Sequence, residues 1–194
     1  MPPIIGHFHY CRSTLTYQLD MPREELDKKL NREYEDITAR IVNNNKKEYK
    51  VKEQQYFIDE EGNKYEVDGK QIKLEPSREE IETAKLLGEI YGQDIKIIPK
   101  VTIKDNIKTP DYMIRDKKFD RKGINGSSRS AIYNRIHKQQ QQADNFVIDI
   151  SNAELDIIDY IEQAQSIYKN PRTYWVNTLI ITKDNEIVKI FNRR

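Results

Sequence analysis

The stretch 109–123, Thr-Pro-Asp-Tyr-Met-Ile-Arg-Asp-Lys-Lys-Phe-Asp-Arg-Lys-Gly, constrains this chain more than any other. Two short runs, 111–115 and 118–122, alternate in polarity about Asp116-Lys117, the pattern of a β-hairpin. Successive side chains of a strand point to opposite faces. A two-residue turn at Asp116-Lys117 would pair Arg115 with Lys118, Met113 with Asp120 and Asp111 with Lys122. Tyr112, Ile114 and Phe119 then share an apolar face that needs a core to cover it. Asp111, Asp120 and Lys122 share the other.

The neighbouring segments supply the cover. Ser77-Arg78-Glu79-Glu80 is a capping box, and the helix it opens turns Ile81, Ala84, Leu87 and Tyr91 inward before stopping at Gly92. Residues 95–101 read as a strand interrupted by Pro99, which suits a sheet edge. After the hairpin, a second helix is expected over 128–143, with Gln139–Gln142 continuing it, and a buried strand over 146–150. Ser151 or Asn152 would cap a third helix over 153–168, and 176–182 with 186–191 close as a hairpin about Asp184-Asn185. The fold class is α+β: helix, three strands, helix, strand, helix and a two-strand hairpin, about 120 residues in one domain.

The front of the chain has a different texture. Leu26, Leu30, Tyr34, Ile37 and Ile41 draw one narrow apolar stripe on a long charged helix, which Asn43-Asn44-Asn45 ends and which suits helix pairing. Residues 55–75 read as short strands with turns at Glu61-Gly62-Asn63 and Asp68-Gly69. The expected organisation is 1–20 as the end of an upstream domain, 21–75 as a helical and short-strand linker region, and 76–194 as the functional domain.

The 194 residues include one cysteine, Cys11, so neither an internal disulfide nor a cysteine-built zinc site is expected within one chain. No run reaches the roughly 20 apolar residues of a membrane span, and no signal peptide is visible. The net charge of +1 hides an asymmetry. Residues 50–90 hold 7 basic and 11 acidic residues, a net of −4, whereas 95–145 hold 12 basic and 5 acidic, a net of +7. A basic segment in a neutral chain is the footprint of a polyanion-binding face.

Several side chains near that segment carry chemistry. Two carboxylates beside a lysine, Asp111, Asp120 and Lys122, suit a divalent metal that polarises a phosphodiester, with the lysine stabilising developing charge. Glu80 is a conditional third ligand, in competition with its capping role. Gly126-Ser127-Ser128 at a helix start would offer backbone N–H groups and hydroxyls to phosphate. Arg121, Arg129, Arg135 and Lys138 would add backbone-positioning contacts, and His137 is a candidate general acid or base. Tyr112, Tyr133, Tyr174 and Trp175 are available to stack on bases, with packing as the competing role.

Pro110-Asp111, eight residues, then Asp120-Arg121-Lys122 resembles the PD-(D/E)xK nuclease signature on the helix–three-strand–helix–strand order that accompanies it. Two wider resemblances follow. Pro2-Pro3-Ile4-Ile5-Gly6-His7-Phe8-His9-Tyr10-Cys11-Arg12-Ser13-Thr14 is similar to the end of phage Mu-type minor head proteins, which implies the C-terminal piece of a longer phage or prophage protein. In that setting His7, His9 and Cys11 belong to the upstream domain's end rather than to a metal site. Residues 78–194 resemble the C-terminal toxin domain of CdiA-type contact-dependent growth inhibition proteins. The carriers are Glu80-x-x-x-Ala84, Leu87-Gly88, Pro110-Asp111-Tyr112, Phe119-Asp120-Arg121-Lys122-Gly123, Gln142-Ala143-Asp144-Asn145 and Val147-Ile148-Asp149-Ile150.

That resemblance implies a nuclease, most often one that cuts RNA with tRNA as target, and a cognate immunity protein as partner. It would act virion-associated or in a host cytoplasm after delivery, without a membrane. A metal-dependent DNase and a non-enzymatic head component that binds nucleic acid are the alternatives. The cofactor implied is a divalent metal, Mg²⁺, or none if the chemistry follows the barnase/EndoU/colicin/RelE group. Under that second chemistry Lys122, Ser127, Ser128 and His137 would act on the 2′-OH, with Asp120 orienting Lys122. Asp120 stands where relatives often show Glu, a shorter carboxylate.

Overall fold

The computed structural model describes residues 48–103 and 107–193, and the capping box at Ser77 opens the first helix among these described residues. The stripe of residues 26–41 and the segment 1–20 lie outside the described residues. Helix α1 (Arg78–Tyr91) has both reciprocal bonds of the box: Ser77 Oγ accepts the Glu80 N–H, and Glu80 Oε2 accepts the Ser77 N–H at 2.7 Å. Gly92 stops it at φ 57, its N–H donating to the Gly88 carbonyl, a left-handed position that glycine takes without steric cost. Ala84, Leu87 and Gly88 on one face are buried. Gly88 is needed for a second reason: a Cβ there would lie 2.2 Å from the Tyr49 ring.

The strands are β1 (Val51–Glu53), β2 (Tyr56–Ile58), β3 (Lys64–Glu66), β4 (Ile72–Lys73), β5 (Ile95–Ile97), β6 (Lys100–Val101), β7 (Tyr112–Ile114), β8 (Lys117–Gly123), β9 (Asn145–Asp149), β10 (Thr178–Lys183) and β11 (Glu186–Asn192). Helix α2 (Ala131–Ile136) joins β8 to β9, and α3 (Ile157–Lys169) joins β9 to β10. Seven strands form one mixed sheet in the order β1-β5-β7-β8-β9-β10-β11. Strands β8, β9 and β10 run parallel, and the hairpin partners β7 and β11 flank them antiparallel. Parallel strands are covered on both faces, which is why Phe146, Val147 and Ile148 and then Leu179, Ile180 and Ile181 are buried as continuous runs. Tyr91 of α1 meets the edge of Phe119, whereas Tyr168 of α3 stacks on Phe191. The register puts Phe119 and Phe191 on opposite faces, so α1 and α3 cover opposite sides of the sheet.

Several expectations hold. The turn at Asp184-Asn185 is present with both residues at positive φ, and Gly62 and Gly69 sit at the two front turns. Others need correction. The central hairpin turns at Arg115-Asp116 rather than Asp116-Lys117, with Arg115 at φ 55, so Tyr112 pairs with Phe119 and Met113 with Lys118. A slip of two residues preserves which side chains share a face. Strand β5 is interior, between β1 and β7; Pro99 separates it from β6, which pairs with β4 in a small ladder of its own. Helix α2 is six residues and ends at Ile136; Gln139–Gln142 form turns, from which Gln142 donates to Asp120. Helix α3 starts at Ile157 with Asp156 at its N-cap, not at Ser151 or Asn152.

The segment read as linker takes part in this architecture. β1 is the parallel edge strand on β5, and Phe57 and Ile72 form a small cluster with Ile98 and Val101. Among the described residues no helix is long and apolar enough to cross a membrane.

Replacing Gly88 with Ala should destabilise the protein by about 1–3 kcal/mol, because the Tyr49 ring must shift. Urea unfolding of Gly88→Ala, Tyr49→Ala and the double variant should give a coupling of opposite sign, the extra methyl being harmless once the ring is gone.

Candidate functional site

Asp111 lies one residue before β7, and the pairing of Tyr112 with Phe119 puts it opposite Asp120. The ladder is continued by a side chain there: the Arg121 N–H donates to Asp111 Oδ2 at 2.8 Å. Asp120 has no exposed surface. Its Oδ1 accepts from Gln142 Nε2 at 2.6 Å, and its Oδ2 is ion-paired with the Lys122 ammonium. Apart from that ion pair, Oδ2 is buried without a hydrogen bond among the described residues.

These contacts do not fully compensate for taking a carboxylate out of water. Burial first, and the Asp111 carboxylate second, push Asp120 up to about 7, with Lys122 pulling the other way. A carboxyl that holds a proton to near neutrality beside a second carboxylate is the arrangement found where two acids share a task.

Glu80 reaches the same neighbourhood from α1. Its Oε1 accepts from Lys100 Nζ at 2.6 Å while its Oε2 caps the helix. Burial opposes its ionisation, but the Lys100 hydrogen bond and the Ser77 N–H hold it below the ordinary carboxylate range. Lys100 is held above its ordinary value against burial by the Glu80 hydrogen bond, with Asp111 and Asp120 adding to the field. Glu80, Lys100 and Asp111 line one cavity of about 170 Å³.

The structure thus brings together Asp111, Asp120 and Lys122, with Glu80 one lysine away. The remaining sequence candidates stand elsewhere. Arg121 points to the other face and pairs with Asp149, which also accepts from the Ser151 N–H. Ser127 is exposed, and Ser128 Oγ lies 3.4 Å from Ser130 Oγ. Helix α2 starts at Ala131, so the Gly126–Ser128 segment is not its N-terminus; the Gly126 carbonyl accepts from the Glu154 N–H and the Tyr160 hydroxyl. Arg129, Arg135 and Lys138 are exposed. His137 caps the C-terminus of α2, bonds through Nδ1 to the Tyr133 carbonyl at 3.0 Å and stacks on the Tyr133 ring. No hydrogen bond, ion pair or ring contact joins Ser127 or His137 to Asp111, Asp120 or Lys122 among the described residues.

Of the aromatic candidates, Tyr112 is buried and donates to the Glu80 carbonyl, Tyr133 carries His137, and Trp175 packs on Phe146; Tyr174 is exposed. Sequence reasoning missed Gln142 and Lys100 as members of the site. Gln142 was visible only as part of a family-like run, and Lys100 only as one lysine of a basic segment.

Residues 108–187, less than half of the chain, match the family model described as the contact-dependent growth inhibition CdiA C-terminal domain. That match spans Asp111, Asp120, Lys122 and Gln142 but neither Glu80 nor Lys100. Among solved structures, a CdiA-CT/CdiI toxin and immunity complex from Burkholderia pseudomallei is similar at 20% identity and a TM-score of 0.47, covering 74% of this chain and 99% of that one. No curated protein matches the chain.

The raised Asp120 gives a pH signature. Between about pH 4 and 7 the folded protein holds a proton that the unfolded chain has released, so this group makes stability fall as pH rises through that window. Asp120→Asn should therefore gain stability over the parent as pH rises from 4 to 7, by at most about 1.4 kcal/mol per pH unit. Asp111→Asn should shift the window downward, since it removes the second cause. Denaturant titrations at a series of pH values test both, and a stability difference between the parent and Asp120→Asn that stays constant with pH would refute the assignment.

Proposed function

We propose that this chain carries a toxic nuclease, an endoribonuclease that cleaves tRNA. The observation that carries the reading is the Asp111–Asp120–Lys122 constellation: two carboxylates facing each other across a ladder with a lysine ammonium on one of them. The match of residues 108–187 to the CdiA C-terminal domain supports a growth-inhibiting role.

A divalent cation would suit the pair, on the ground that two adjacent carboxylates repel, and it would share Asp120 Oδ2 with the Lys122 ammonium. Among the described residues no group of three or more His, Cys, Asp or Glu gathers. The donor set therefore suits Mg²⁺, which binds through one or two carboxylates and completes its shell with water and substrate phosphate. Asp111 and Asp120 would hold it, and Glu80 would join only on leaving Lys100. Such an ion supplies Lewis-acid polarisation of the phosphoryl oxygens.

The protein's own groups do the rest. Gln142 fixes the rotamer of Asp120, and the Arg121 N–H fixes Asp111. Lys122, one-fifth exposed, stands at the rim of the buried acid, where an ammonium stabilises the charge that builds on the phosphate as a water oxygen attacks phosphorus and the leaving oxygen departs. The basic residues of 95–145, Arg129, Arg135 and Lys138 among them, would hold the backbone of the nucleic acid, and that grip weakens with salt. The metal-independent chemistry through Ser127 and His137 has less support, because their contacts lead elsewhere.

An enzyme that cuts the producing cell's own RNA needs a neutralising partner, so a cognate immunity protein belongs to this reading. So does delivery into a target cytoplasm, with the phage head resemblance of residues 1–20 as a carrier. The deciding test is incubation of the protein with total tRNA and with plasmid DNA, each with Mg²⁺ and with EDTA. Cleavage of tRNA stopped by EDTA, and lost in Lys122→Ala with the circular dichroism spectrum unchanged, is the expected result. Cleavage of plasmid alone makes the protein a DNase. RNA cleavage that survives EDTA overturns the metal, and no product from either substrate, with salt-sensitive binding, makes the chain a nucleic-acid-binding head component.

A further inference from the structure

The cavity beside Asp111 has features that the cleavage chemistry does not use. Its volume is about 170 Å³, and Leu74, Pro76, Ile97, Ile98 and Tyr112 give it apolar walls. Lys73 and Lys100 stand at its rim as direct cross-strand partners in the β4–β6 ladder. Like charges opposite each other in an antiparallel pair destabilise it. Glu80 compensates Lys100, whereas Lys73 is exposed and makes no ion pair among the described residues. Glu75 and Thr102 complete the rim, and the Thr102 hydroxyl is engaged with the Gln71 carbonyl. An apolar recess with a few polar groups at its mouth is the form of a ligand site, and here the mouth includes an acid of the catalytic pair.

We infer that this cavity is a nucleotide subsite, which takes one unstacked ribonucleotide next to the scissile phosphate, its base against the apolar walls and its phosphate at Lys73 and Lys100. The inference rests on the nuclease reading and deepens it by naming the substrate form. Single-stranded loops and ends of RNA offer splayed bases, which protein surfaces take up by stacking and apolar contact; a continuous duplex does not. The subsite would select such a region, and the carboxylate pair would cut beside it. One strand of the small ladder, β4 with Lys73, comes from the front segment, so residues 48–75 would contribute to the recognition surface.

The test uses the full chain, in EDTA to hold cleavage off, and a short single-stranded RNA carrying 2-aminopurine, whose fluorescence rises when the base leaves the stack. Three variants are compared with the parent: Lys73→Glu, at an exposed position; Leu74→Trp, which fills the recess from its half-buried wall; and Lys85→Glu on the outer side of α1, the same charge change away from the cavity. The parent should bind with a fluorescence rise. Leu74→Trp should abolish the rise, and Lys73→Glu should weaken binding about tenfold and lower the slope of log K against log salt by about 1. Lys85→Glu should change neither. If all three variants match the parent in binding and fluorescence while the parent still cuts RNA with Mg²⁺, the subsite is wrong and the nuclease reading stands. If the parent neither binds nor cuts, both fall together.

Discussion

The arrangement of this domain depends on keeping Asp120 inside it. A fully buried carboxylate is expensive unless it is paired and hydrogen-bonded, and each solution used here recruits a different part of the chain. Lys122 comes from the same strand two residues on, and Gln142 from the turns after α2. The compensation is incomplete, because Asp111 adds a second negative charge where a neutral donor would serve stability better. An interior of this size with an apolar residue at position 120 would be the simpler solution. Retaining the acid is the kind of local violation that folds carry at sites of function.

Strand β8 is the pivot of the topology as well as of the carboxylate–lysine cluster. It is antiparallel to β7 on one side and parallel to β9 on the other. The antiparallel side is a tight hairpin and delivers Asp111 by local pairing. The parallel side requires a crossover, and that crossover, α2 with its following turns, delivers Gln142. One strand therefore collects partners from both neighbours, as strands do where connection type changes within a sheet.

Much of this was legible in the sequence, and the parts that were not have physical reasons. The capping box, the Gly92 stop and the closing turn at Asp184-Asn185 follow from local chemistry and stand where the residues put them. The face shared by Asp111, Asp120 and Lys122 was readable because strand alternation survives the two-residue slip of the hairpin. The slip itself was not, because Arg115 at positive φ is no residue that turn preferences favour. The length of α2 is not legible because glutamines are good helix formers, while Gln142 is engaged instead in a tertiary hydrogen bond to the buried Asp120. Lys100 was invisible as a site residue because its partner Glu80 is 20 positions away on another element.

The charge pattern separates a surface that merely holds nucleic acid from one that acts on it. Residues 95–145 carry 12 basic and 5 acidic residues, which is what a polyanion requires of its holder. Two of those five acids, Asp111 and Asp120, face one another, and Glu80 brings a third carboxylate to the cavity beside them. Glu75 adds a further carboxylate at the rim, and against these acids the same place has Lys122, Lys100 and Lys73. A phosphate approaching this centre would be repelled unless a proton on Asp120 or a bound cation neutralised the acids. A passive binder gains nothing from such a centre, because every carboxylate on its basic face weakens the grip. A catalyst would gain, since carboxylates that are unfavourable toward the resting phosphate would hold a cation able to supply Lewis-acid stabilisation of the transition state. Under the proposed nuclease reading, the acids at the centre of the basic segment would serve chemistry on the backbone rather than attachment to it.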